Sequence, residues 1–172
     1  MTSSPSRIAR ATAAAALAIA CSVGFAACTQ DPARLPPTIG GGVNAEVGEQ
    51  DPVKVLNLML ITRDGTTGFL EGALSTTGED TLVSVSGELV DADNNPTGTP
   101  LVFEGGPTPV VTKQLSKLSV GNPYLVSGEI PVGLTVRTTL VFTHAGEVTL
   151  DVPIVDGNNV DYATVTPQPT NL

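Results

Sequence analysis

Few residues in this chain have the chemistry to bind a metal or attack a substrate. There is one histidine, His144, and one methionine beyond the start, Met59. The only cysteines are Cys21 and Cys28. A catalytic base needs a nucleophile and an orienting carboxylate, and a lone histidine supplies neither. His144 stands beside Ala145-Gly146 and reads as a solvated loop residue. Met59 lies in an apolar run and reads as core filling. Asp91-Ala92-Asp93-Asn94-Asn95 opens like a calcium loop, but Pro96 stands where Gly is needed and Val102 where Glu is needed. Turn chemistry explains those side chains. Glu79 and Asp80 are adjacent, so a strand would point them to opposite faces and make them a poor acid/base pair. No GxSxG, GxxxxGK[ST] or GxGxxG occurs. These residues make no case for an enzyme, a resident metal or a cofactor.

The remaining chemistry is at Cys28, and it is covalent. Arg7 and Arg10 give a positive start, and Ala11 to Ala20 is apolar apart from Thr12. That run is a secretory signal, too short for a spanning helix of about 20 residues. Phe25-Ala26-Ala27-Cys28 resembles a bacterial lipobox, in which the cysteine is acylated, with palmitate a typical chain. Cys21, after Ala18-Ile19-Ala20, is the rival. Cys28 is preferred: a larger residue stands three positions before it, and cleavage before Cys21 would leave an apolar start. The bland alternative is an ordinary secretory signal with two idle cysteines. Acylation of Cys28 leaves no other thiol in the mature chain, which excludes disulfides and thiolate metal sites. Two or three acyl chains, at about 0.8 kcal/mol per buried CH₂, anchor a protein stably. The expected location is the extracytoplasmic face of the cell membrane, with lipid as the first partner.

Charge narrows the other partners. All seventeen acidic residues lie beyond residue 28, against six Lys and Arg, for a formal charge of −11. That disfavours nucleic acid and electrostatic adhesion to anionic lipid.

The elements that would position a site are strands. In Thr135 to Asp156, Val136, Thr138, Leu140 and Phe142 share one parity, and so do Val148, Leu150, Val152 and Ile154. Period two, broken by His144 to Glu147, predicts an antiparallel hairpin with Gly146 at positive φ. Pro153 implies an edge, or an N–H position that faces no partner. Val53 to Thr62 is apolar at nearly every position, interrupted by Asn57, so both its faces should be covered. Further strands are expected at 69–75, 82–90, 101–103, 110–111 and 124–126, with a polar loop over 91–100. Leu115 and Leu118 fall in an irregular segment or one short strand. Eighteen glycines, fourteen prolines and 3% aromatics fit many short strands around a Val, Leu and Ile core. The expected fold is all-β, a Greek-key β-sandwich of cupredoxin or immunoglobulin type. The expected division is a signal peptide over 1–27, a lipid-anchored linker over 28–52, a sandwich over 53–160 and a tail over 161–172, either frayed or lying against the sheet through Val160 and Tyr162. The linker, rich in Pro and Gly, would span about 25 Å as a flexible chain.

LVFTHAGEVTLDVPI, residues 140–154, resembles the final two strands of the periplasmic copper chaperone PCu(A)C family. Gly68 to Val90, with Thr77-Gly78-Glu79-Asp80 before Leu82-Val83, resembles an earlier part of it. The order and spacing are closer still to the actinobacterial LpqE-type lipoprotein group, which looks like a branch of that fold. The similarity spans roughly residues 53 to 156. The family binds Cu(I) through His and Met, soft donors suited to that ion. The resemblance implies such ligands near 101–112 and in a His-x-Met pair after Tyr124. Those stretches read LVFEGGPTPVVT and YLVSGEI, with neither residue type, so no ligand carries over. It further implies an accessory or assembly role with subunits of the respiratory cytochrome bcc–aa3 supercomplex. A copper carrier for that oxidase and a lipid- or small-ligand-binding envelope protein are the alternatives.

Overall fold

The computed structural model describes residues 41–170. In chain order its strands are β1 Val43–Val47, β2 Val53–Thr62, β3 Thr67–Ser75, β4 Asp80–Val90, β5 Pro96–Glu104 and β6 Thr108–Val110. They continue with β7 Ser116–Lys117, β8 Val120–Gly121, β9 Leu125–Ser127, β10 Thr135–Phe142, β11 Glu147–Asp156 and β12 Gln168–Pro169. No helix occurs among the described residues.

The alternating stretch near the C-terminus forms the expected hairpin. β10 and β11 pair antiparallel from Thr135↔Pro153 to Val141↔Glu147. Val136, Thr138 and Leu140 are fully buried and Phe142 nearly so. Gly146 closes the loop at φ +92° and its carbonyl accepts the Phe142 N–H at 2.8 Å. Pro153 sits in the interior of the strand, just before the point at which β11 meets β2. Parallel pairing to β2 begins at Ile154↔Leu60. The flanking Ile154 N–H goes to Leu134 O at 2.9 Å. The missing proline N–H therefore falls on the side where β11 has no neighbour yet.

β10 lies between β11 and β4, β4 pairs with β5, and β5 crosses to β9 in the other layer. The spatial order β10-β4-β5-β9 sets the last of these four long-range strands beside the first, which is a Greek key. The second layer is β1-β2-β3 with β7 and β9. Because β11 pairs with β2 and β5 with β9, the sheets join on both sides into a closed all-β sandwich. The core between them is built from Val55, Leu60, Leu70, Leu82, Leu140 and Val152 with their neighbours.

β2 explains its own unbroken hydrophobicity. Val53 and Val55 face the main core, and so do Leu58 and Leu60, which have the opposite parity. Asn57, at φ +53°, shifts the phase and the register between them. Beyond it Met59 and Ile61 point outward and form a second buried cluster with Phe69.

Three expected boundaries are corrected. The linker was read to residue 52, yet Val43–Val47 is a strand against β2, with Val43↔Leu58 and Val47↔Val53. Its short alternation is masked in sequence by the preceding glycines. The polar loop over 91–100 closes at Asn95, and the next strand starts at Pro96, opposite Val90. The tail over 161–172 is docked as far as it is described. Tyr162 and Val165 pack on the second cluster, and β12 pairs parallel with β8. The described body thus runs from 41 to 170 and exceeds the expected 53–160. The signal peptide, Cys21 and Cys28 lie outside the described residues.

Candidate functional site

The two stretches in which copper ligands would be expected come together in space. β5 and β9 pair antiparallel with Val102↔Ser127, Phe103↔Val126 and Glu104↔Leu125. Opposed residues share a face. Phe103 and Val126 turn inward, while Val102, Glu104, Leu125 and Ser127 are exposed. Val102 is 55% and Leu125 46% exposed. The outward face of this strand pair is thus two aliphatic side chains, a carboxylate and a hydroxyl. None is a soft donor, so the residues do not fit Cu(I).

The row continues across the sheet. Leu125 is opposite Phe69 on β3, and Phe69 is opposite Ile61 on β2. Beside Leu125 an open groove of about 550 Å³ runs between Phe69, Ser127, Glu104 and Pro167 of the tail. Arg63 and Asp64 form one end. Asp64 accepts hydrogen bonds from the Thr67 hydroxyl and from the Thr66 and Thr67 N–H groups, at 2.7–2.8 Å. The Thr67 bonds lead in holding its carboxyl well below the usual range. The Arg63 guanidinium donates to the carbonyls of Tyr162, Ala163 and Val165 at 3.5, 3.4 and 2.8 Å. The contact of Arg63 with the tail was not read from sequence; an isolated arginine after a strand carries no signal of a contact a hundred residues away.

The other candidates fall elsewhere. Met59 is buried in the second cluster. His144 stands at the mouth of the β10–β11 hairpin, its side chain 75% exposed. The two share no contact cluster. Asp91 organises a tight turn: its Oδ1 accepts the N–H groups of Asp93 and Asn95 at 2.9 and 2.8 Å, and Asn94 takes φ +64°. Glu79 precedes β4 and is exposed, whereas Asp80, the first residue of the strand, is buried. Among the described residues no three His, Cys, Asp or Glu side chains are gathered to hold a metal. No helix among them is long and apolar enough to cross a membrane.

No family model and no curated protein matches the chain. Solved structures do, and three of them are PCuAC domains. The apo PCuAC domain from PmoF1 is 25% identical with a TM-score of 0.48, over 66% of this chain and 99% of that one. The copper-bound PCuAC domain from PmoF2 is 22% identical with a TM-score of 0.45, over 66% and 98%. The apo PmoF2 PCuAC domain is 19% identical with a TM-score of 0.44, over 65% and 95%.

Proposed function

We propose that this chain is a non-enzymatic lipoprotein, anchored through acylated Cys28 on the extracytoplasmic face of the membrane. Its body is a copper-chaperone-like sandwich without the copper ligands. It serves as an accessory or assembly component of the respiratory cytochrome bcc–aa3 supercomplex. The observation that carries this reading is the outward face of β5 and β9, where Val102 and Leu125 stand exposed in the stretches expected to bear His and Met. Exposed aliphatic side chains on a rigid sheet suit contact with another protein, as interface cores do. A lipid anchor confines the body near membrane partners and raises their effective concentration. The groove beside Leu125 favours a second reading, a small-ligand-binding envelope protein, since its volume lies in the range of ligand sites.

Affinity purification of the tagged full-length protein from membranes tests the first reading. Oxidase or bc-type subunits are expected to be enriched, and their consistent absence defeats it. Cu(I) titration separates both readings from a metal carrier: tight stoichiometric binding would mean copper transport.

A further inference from the structure

We infer that residues 157–170 form a latch, which opens as a unit of its own while the body stays folded, and thereby bares an apolar strip of the sheet. The strip is Met59, Ile61 and Phe69. Each is at most 4% exposed, yet all three lie on the face of β2 and β3 that points away from the main core. They are covered by Val155 with Tyr162 and Val165 of the tail. The main core takes no residue from beyond Ile154. Opening therefore leaves that core intact.

The tail is held to the body at its start and near its end, beginning with Gly157 N–H to Thr62 O at 2.7 Å. Arg63 donates to three of its carbonyls, and Asn158 Nδ2 donates back to Arg63 O at 3.0 Å. Farther on, Gln168 N–H reaches Ser119 O at 2.7 Å and Thr170 N–H reaches Gly121 O at 2.8 Å. That pairing is only two residues long, Gln168↔Val120 and Pro169↔Gly121. Segments with few buried contacts and short ladders open locally, at lower free energy than the whole fold. The strip they would release continues an exposed row, because Phe69 is the cross-strand partner of Leu125. Latch opening thus turns a single exposed leucine into a band across β2, β3 and β9.

Amide hydrogen exchange on the full-length chain tests this. In the native protein the amides of Val165, Gln168 and Thr170 should exchange faster than those of Leu70, Phe142 and Ile154. Arg63→Ala should speed the tail amides by a further ~10-fold, the scale of losing hydrogen bonds to a charged group, and leave the body amides unchanged. Fluorescence of an added apolar dye should rise in step. Gln168→Pro deletes the tail N–H that reaches Ser119 O, with no substitution in the body, and should act on the same amides, which keeps the test open if Arg63→Ala fails to fold. One common exchange rate for tail and body, or equal acceleration of both, overturns the latch.

Discussion

His144 and Asp80 meet at the mouth of the β10–β11 hairpin, with Nδ1 of the imidazole 3.5 Å from Oδ1 of the carboxylate. The two differ sharply in exposure: the Asp80 side chain is 4% exposed. Its oxygens accept the N–H groups of Thr81, His144 and Ala145 at 2.7, 3.1 and 2.8 Å. Asp80 thus ties the start of β4 to the hairpin loop. Burial by itself raises its pKa, but the three backbone donors and the nearby imidazole outweigh burial, and the carboxyl sits below its ordinary value. A folded-state pKa below the unfolded one means stabilisation that is present above about pH 4 and withdrawn as pH falls through the folded value. Asp80→Asn should cost about 1–3 kcal/mol at pH 7. Urea unfolding at pH 7 and pH 3 checks this: the gap to the native protein should narrow in acid, and a constant gap would show that the charge contributes nothing.

Gly106 has φ +68°, and a Cβ there would collide with the ring and hydroxyl of Tyr124. Tyr124 is 2% exposed, with its hydroxyl donating to Leu82 O at 3.3 Å. Gly106→Ala should therefore destabilise by more than about 2 kcal/mol. Gly98 has a similar φ of +72° but open space around it. Gly98→Ala should show the backbone penalty alone, about 1 kcal/mol. Similar denaturation midpoints for the two variants would refute the steric account.

Val102→Gln combined with Leu125→Gln changes two exposed positions and should shift stability by no more than about 0.5 kcal/mol each. Recovery of membrane partners in affinity purification should fall by at least tenfold. Undiminished recovery would move the docking surface elsewhere.

Cys28→Ala should release the protein from membrane fractions into the soluble extracytoplasmic fraction, while Cys21→Ala should leave it attached. Retention of the Cys28 variant would refute acylation there. Cell fractionation with immunoblotting reads both outcomes.

Where one face of a strand is buried, the pattern was legible in the residues. Val136, Leu140 and Phe142 defined β10, and the unbroken apolarity of β2 correctly required cover on both faces. The source of the outer cover was legible only in part: Tyr162 offered a docked tail, but neither Val165 nor the strip it covers could be read. Tyr162 and Val165 are separated from Ile61 by about a hundred residues, and Pro167 and Pro169 read as breakers. β1 was hidden because glycines precede it and only Val47 of its residues is buried. The candidate site was half legible. The absence of His and Met over 101–112 and after Tyr124 was plain, but not that these stretches lie side by side with Val102 and Leu125 facing outward. Register across nonconsecutive strands has no local signature.

The strand Val43–Val47 also sets a leash length. Reading the tether to residue 52 gave the body some 25 Å of slack as a coil. With β1 pinned to β2, only about a dozen residues separate Cys28 from Gly41. A dozen residues reach at most about 40 Å, whatever their conformation. Were Cys28 the lipid anchor, that reach added to the body's own extent would set the greatest height above the lipid at which a partner could be met.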